Sequence, residues 1–401
     1  MFPRVSAPAR PRQLTVLSLL NFTVLGLHVG VYAVQLAPLA AALELDPARL
    51  GLALTCAALA GLVTLFAGGV LADKLGRRVV LLIGFLGTGT AFALLSLVHS
   101  YPALVGALVV YGLTVSFIDL GANTVGSDLE AMTSRKVMTG LHAGFSAGAF
   151  LGALITALVL TAGVDFRDVY RGLAAVLLAA GVVAAVAALP VRPPHDECHD
   201  TDPGRSRVWR IPAVLFAMIL ISVTFFGDGA LESFLAVYLQ QALGSTILLT
   251  CVGVANYHAA SLAGRLITTR VEHRWGERSV VTIAGLLGSA GITVAVLSTT
   301  PVAAIAGLLI VGFAVAPIVP AALSLAGRSA PHRAGQAVAT TTAVGYAAFV
   351  VSPSVVGGLA TLTSLRVALG LLILTTLAVA ILGNRWPAQR AAPPVKVVVV
   401  D

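Results

Sequence analysis

No aspartate, glutamate, lysine or arginine occurs between Gln13 and Leu43. A run of that length exceeds the roughly 20 apolar residues that carry a helix across a bilayer. Similar runs recur down the chain, each closed by a short cluster of charged residues. In hydrocarbon a backbone must satisfy its own polar groups, so segments of this kind become helices. Composition agrees: 58% of the residues are hydrophobic, only 10% are charged, and mean hydropathy is +0.96. Soluble domains carry about 25% charged residues.

Letting the charge clusters set the breaks predicts twelve membrane helices, at 14–41, 51–72, 79–99, 102–126, 137–163, 169–190, 211–241, 246–268, 279–299, 301–326, 335–361 and 366–385. The N-terminus, MFPRVSAPARPRQ, is basic, but the run after it is longer than the roughly 7–15-residue core of a signal peptide, so an uncleaved first helix is expected. With the N-terminus in the cytoplasm, twenty-one of the 25 Lys and Arg residues fall on the cytoplasmic side. Only Arg49, Arg167, Arg171 and Arg366 fall opposite. A missed or invented helix would scramble that split, so both termini are expected inside. Trp209, Trp275 and Trp386 fall near the same side, where interfacial anchors belong.

The polar stretch RPPHDECHDTDPGRSR, Arg192 to Arg207, divides the chain six helices from six. The expected organisation is an N-terminal bundle over 1–190, a cytoplasmic linker over 191–210, a C-terminal bundle over 211–386 and a tail over 387–401. Gly76-Arg77-Arg78 returns 200 residues later as Gly276-Glu277-Arg278, a faint internal repeat. The net charge of +8 has no basic stripe with interleaved aromatics, so nucleic acid is not an expected partner. Cys56, Cys198 and Cys251 form neither a disulfide framework nor a zinc pattern. The linker's His195-Asp196-Glu197-Cys198-His199 lacks metal-ligand spacing and reads as an acidic solvated segment. No metal, cofactor or enzymatic motif is indicated.

Ionisable residues inside a bilayer cost roughly 2.5–3.5 kcal/mol each, which makes every one a functional candidate. Asp228 and Glu232 stand four apart in the seventh helix and therefore share a face. Two such carboxylates do not both ionise easily and titrate as one coupled unit, which suits a proton carrier. The alternative is a carboxylate facing a water-filled vestibule or bonded to a neighbouring helix. Asp119 and Asn123 in the fourth helix, with His142 and Ser146 in the fifth, sit at similar depth and could meet as a substrate or proton site, or as a static bond between helices. Asn21, His28, Tyr32 and Gln35 make a polar stripe on the first helix that should face a central cavity. Asn256, Tyr257 and His258 add polar groups near the middle of the eighth. Gly140, Gly144, Gly148 and Gly152 form a ladder permitting close helix contact. Pro317, Pro320 and Pro353 mark bends.

The stretch from Gly69 to Arg78 reads as a charged loop at the bilayer surface, and Gly69, Asp73, Gly76, Arg77 and Arg78 fill a pattern G-x-x-x-D-x-x-G-R-R. This resembles the loop between the second and third helices of major facilitator superfamily transporters. The second copy is degenerate, with Thr269 and His273 at the matching positions, although Gly264-Arg265 upstream is similar to what the family shows there. Gly140 to Ala149 is similar to a pattern of the fucose-permease-like branch, as is the acidic pair. The resemblance implies an all-α membrane protein of two pseudo-symmetric six-helix bundles in the cytoplasmic membrane, moving a small polar, sugar-like solute by alternating access, driven by the proton gradient. It implies a gate in which Asp73 and Arg77 lock the halves together on the cytoplasmic side, Arg77 pairing with a carboxylate such as Asp128 or Glu130. Partners would be the solute and membrane lipids, with the chain acting as a monomer. Alternatives are drug or metabolite efflux, weakened by the missing proline of the fifth helix and missing arginine of the fourth, and lipid flipping.

Overall fold

In the computed structural model, residues 11–133, 137–187, 208–330 and 333–387 are described. Within them, twelve helices are long and apolar enough to cross a membrane. The N-terminal half comprises α1 (Pro11–Ala42), α2 (Pro47–Leu75), α3 (Arg77–Leu95), α4 (Tyr101–Thr133), α5 (Met138–Thr161) and α6 (Phe166–Val186). The C-terminal half begins with α7 (Pro212–Val237), prolonged by a π turn at Tyr238–Ala242. A helical stretch Ile247–Leu297 follows, broken at Gly276 into α8 before it and α9 after it. Next come α10, in two pieces Pro301–Val315 and Ile318–Ser329, α11 (Ala334–Leu362) and α12 (Leu365–Asn384). Helices alternate between a basic end, where Arg77 and Arg328 lie, and a far end.

Five of the helices starting at the far end are capped by short polar side chains. Asp46 accepts from Arg49 N, Asp165 from Arg167 N, Thr246 from Leu249 N, Thr300 from Ala303 N and Ser364 from Val367 N. Each cap satisfies an amide the first turn leaves free. At the basic end a distant group does this for α5: the Glu130 carboxylate accepts from Val137 N at 2.7 Å and Met138 N at 3.0 Å.

The stretch from Gly69 to Arg78 is not a loop. Helix α2 runs to Leu75, Gly76 alone leaves helical geometry at φ 81°, and α3 starts at Arg77. Val70 to Leu75 contains good helix formers, so one left-handed glycine makes the whole turn. Gly276 repeats it at φ 74° in place of the expected gap between helices eight and nine. The side chains of Gly69 and Asp73 lie outside the described residues, as do the linker's His195 to His199 and most of the tail.

The glycine ladder joins α5 to α1. A Cβ on Gly148 would sit 2.1 Å from Thr23 O, and one on Gly152 2.2 Å from Leu27 O, while Gly140 faces open space and is no part of the contact. The halves meet toward the far end through α2 and α11. Thr55 Oγ1 donates to Val350 O at 3.1 Å, Ser354 Oγ donates to Thr55 Oγ1 at 2.8 Å, and Ala48 N donates to Thr361 Oγ1 at 3.1 Å. Large apolar side chains such as Leu97, Leu158, Val182 and Leu374 are more than 60% exposed, an outer surface suited to lipid rather than water.

Candidate functional site: a cavity between the halves

Between the halves lies a cavity of about 240 Å³. Tyr32 of α1, Gly61 of α2, Tyr111 and Ser116 of α4 line one side; Glu232 and Ser233 of α7 and Tyr346, Phe349 and Pro353 of α11 line the other. Tyr32 stacks on Tyr111 with centroids 4.7 Å apart. Tyr346 packs edge-on against Phe225 at 5.3 Å. Glu232 is exposed to this space, an ionisable group held where the two halves face each other.

Asp228 and Glu232 share a face of α7 and interact electrostatically, but they open into different spaces. Glu232 lines the central cavity, whereas Asp228 lines a smaller one inside the C-terminal half. Glu232 also borders a narrow crevice with Tyr257 and His258 of α8. Asn256 is half-buried on α8 and lines none of these spaces.

The polar stripe of α1 is corrected by the structure. Only Tyr32 reaches the cavity. His28 is fully buried within the N-terminal half, its Nε2 3.4 Å from Tyr111 Oη and its ring against Phe92. Gln35, equally buried, donates from Nε2 to Phe166 O of α6 at 3.2 Å. Polar spacing on one helix face does not say whether that face meets a cavity or a polar pocket between neighbouring helices, and α3, α4 and α6 supply such a pocket here.

Asp119 of α4 and His142 of α5 interact electrostatically. Asn123 Nδ2 donates to Asp119 Oδ1 at 2.9 Å and fixes that carboxylate. Ser146 Oγ donates to its own helix at His142 O and accepts from Arg265 Nη1 at 3.3 Å. Arg265 was noted in the sequence only for its likeness, with Gly264, to the family's loop, and not as a site residue. It counted there as a surface charge, yet it lies in α8, bonds across the halves to α5, and interacts electrostatically with His142, Asp228, Glu232 and His258. An arginine inside a predicted apolar span was the available signal. Tyr111 and Tyr346 were missed as well, since a midspan tyrosine is not distinctive until its neighbours are known.

At the basic end Arg77 Nε donates to Asp128 Oδ2 at 3.1 Å, one of the two carboxylates expected for it; Glu130 instead caps α5. That pair lies within the N-terminal half, and Asp73, the other residue of the expected lock, has its side chain outside the described residues. Arg78 donates to Ala185 O and Ala187 O at the end of α6. The C-terminal half repeats both contacts with the ion pair reversed. Glu277 accepts from Arg328 Nη2 at 2.7 Å, and Arg278 Nη2 donates to Asn384 Oδ1 at the end of α12 at 2.8 Å. Among the described residues no cluster of three or more His, Cys, Asp or Glu could hold a metal.

Twelve spanning helices in two matching halves, with a central cavity bearing ionisable groups at their junction, define a helical membrane transporter. The sequence matches the Major Facilitator Superfamily over residues 15–353, and the chain belongs to that family. It is 31% identical over 341 residues to an uncharacterised MFS-type transporter of Yersinia pestis, covering 84% of this chain and 86% of that one. It is 24% identical over 343 residues to the membrane protein MosC of Rhizobium meliloti, covering 84% and 81%. Among solved structures it is similar to a bacterial homolog of the human lysosomal transporter Spinster in an inward-facing, unoccupied conformation, with TM-score 0.79, 14% identity and coverage of 95% and 98%. The nucleoside transporter NupG superposes with TM-score 0.72 at 13% identity, covering 94% and 99%. At these identities the likeness is one of fold.

Proposed function

We propose that the protein is a proton-driven secondary transporter of the cytoplasmic (inner) membrane that moves a small polar, sugar-like solute by alternating access. In this reading the basic end and both termini face the cytoplasm, and the chain works as a monomer. The observation that carries it is Glu232, an intramembrane carboxylate exposed to a cavity that both halves line. A carboxylate there binds a proton or a solute hydroxyl according to which half of the cycle the cavity is in. The stacked Tyr32 and Tyr111 offer a ring platform and two hydroxyls beside it. Asp119, Asn123 and His142, linked through Arg265 to Glu232, are the second set of proton or substrate groups.

A second reading, export of amphipathic cations, is favoured by the cavity wall itself: aromatic faces of Tyr32, Tyr111, Tyr346 and Phe349 around one carboxylate suit a cation. Proteoliposomes distinguish the two. A panel of sugars and of amphipathic cations is tested for movement driven by a pH gradient, with Glu232→Gln beside the parent. Gradient-driven sugar uptake that falls at least about tenfold in the variant is expected. Uptake indifferent to both gradient and substitution would sink the proton role.

A further inference from the structure

We propose that Arg265 is the positioning residue that couples the proton on Asp228 and Glu232 to the contact between α5 and α8. Its guanidinium holds Ser146 of the other half while the two carboxylates are neutral, and leaves it for them when they ionise. This rests on the reading of Glu232 as a proton carrier and extends it to how the proton moves the halves.

Ser146 and Arg265 each sit on backbone fixed to its own half. Gly148, two residues after Ser146, lets α5 touch α1 at Thr23 O, and Gly264 lets α8 touch α10, where an added Cβ would collide with Phe313 O. The arginine side chain is therefore the part free to swing. Ser146 is 3% exposed, and its one hydrogen goes to His142 O of its own helix, which leaves oxygen lone pairs for α8. Arg265 Nη1 donates to that oxygen at 3.3 Å. Among the described residues, the other hydrogen bonds that cross between the halves tie α2 to α11 at the far end. This bond alone joins α5 to α8.

The guanidinium is little occupied there. Arg265 is exposed, and of its five donors only one meets this neutral hydroxyl. Asp228 and Glu232 of its own half both feel its charge, yet among the described residues neither forms an ion pair. An ionised carboxylate attracts the guanidinium with a full charge in a low-dielectric setting and can take two of its N–H groups in parallel, which a hydroxyl cannot. Protonated, it has no charge with which to compete. Arg265 bonded to Ser146 is therefore the protonated arrangement; proton loss draws Arg265 back into its own half and frees α5 from α8. Arg265 also acts on His142 of α5 and on Tyr257 and His258 of α8. Asp119 of α4 acts on His142 and on Tyr346 of α11, and the phenols of Tyr32, Tyr111 and Tyr346 feel Glu232. The sign separates these groups: a proton gained by His142 would repel Arg265 and loosen the contact at low pH, the opposite of what the carboxylates do.

The test uses the purified full chain in detergent, without solute or gradient. Spin labels are placed at Gly140→Cys on α5 and Arg274→Cys on α8, both exposed positions toward the basic end, in a background lacking Cys56, Cys198 and Cys251. Going from pH 5 to pH 9 should raise the long-distance population at least about threefold. Asp228→Asn combined with Glu232→Gln should hold the short distance at both pH values. Arg265→Ala should abolish the response to pH, Arg265→Lys should restore it, and His258→Gln should leave it in place. Distances that ignore pH in the parent overturn the proposal, as does a response that survives Arg265→Ala or one that opens the contact at low pH. The proton role of Glu232 is read separately, by gradient-driven uptake. Uptake that falls in Glu232→Gln while the distances ignore pH overturns the Arg265 role alone.

Discussion

Arg77 and Asp128 show how much of a residue's role depends on its partner. Asp128 is 3% exposed, so its charge has little water to fall back on. Arg77→Ala leaves that carboxylate without its cation and should cost roughly 1–3 kcal/mol, read as a lowered melting temperature in detergent. The inverted pair Glu277–Arg328 in the other half implies that this position tolerates either polarity. The double variant Arg77→Glu with Asp128→Arg should therefore recover most of the loss, and a double-mutant cycle showing no recovery would contradict the equivalence. The spacing pointed to Asp128 or Glu130, and choosing between them needed the fold: Glu130 faces the amides opening α5, and Asp128 faces α3.

Elements here are joined where glycine lets two backbones touch. Gly357 of α11 and Gly51 of α2 close the far end: a Cβ on Gly357 would lie 2.2 Å from Pro47 O, and one on Gly51 2.2 Å from Pro353 O. Gly357→Ala should force the two helices apart and populate a state open at that end. Spin labels at Arg49 and Leu362, both exposed, should report a longer distance in the variant than in the parent. An unchanged distance distribution would show that the seam yields elsewhere. Gly140→Ala, by contrast, meets nothing and should leave stability within about 0.5 kcal/mol. Helix count and order were legible because hydrophobic length is a local property. The turns at Gly76 and Gly276 were not, since a charged segment can leave the bilayer as a loop or as continued helix with equal ease.

At the scale of the molecule, the far-end seam must part if the solute cavity is to open that way. Thr55 and Ser354 face each other across it with hydroxyls 2.8 Å apart. Thr55→Cys with Ser354→Cys, in a background lacking Cys56, Cys198 and Cys251, should oxidise to a link that stops transport, and reduction should restore it. Full transport by the cross-linked chain would mean the halves do not separate along α2 and α11. The 200-residue repeat gains physical content here, because matching contacts to the ends of α6 and α12 show the two halves held by the same device.

What the sequence by itself determined is the class: apolar runs of spanning length, broken by charges, leave a chain little choice but a bundle of membrane helices. It also named the ionisable residues, because charge inside such a run is costly wherever it points. Only the tertiary structure decided which of them share a space. It turned His28 and Gln35 into the N-terminal half, set Glu232 in the central cavity and Asp228 in another, and brought Arg265 across to Ser146. Helical spacing sets which residues share a face, but the neighbour that face meets is chosen by packing between segments far apart in the chain.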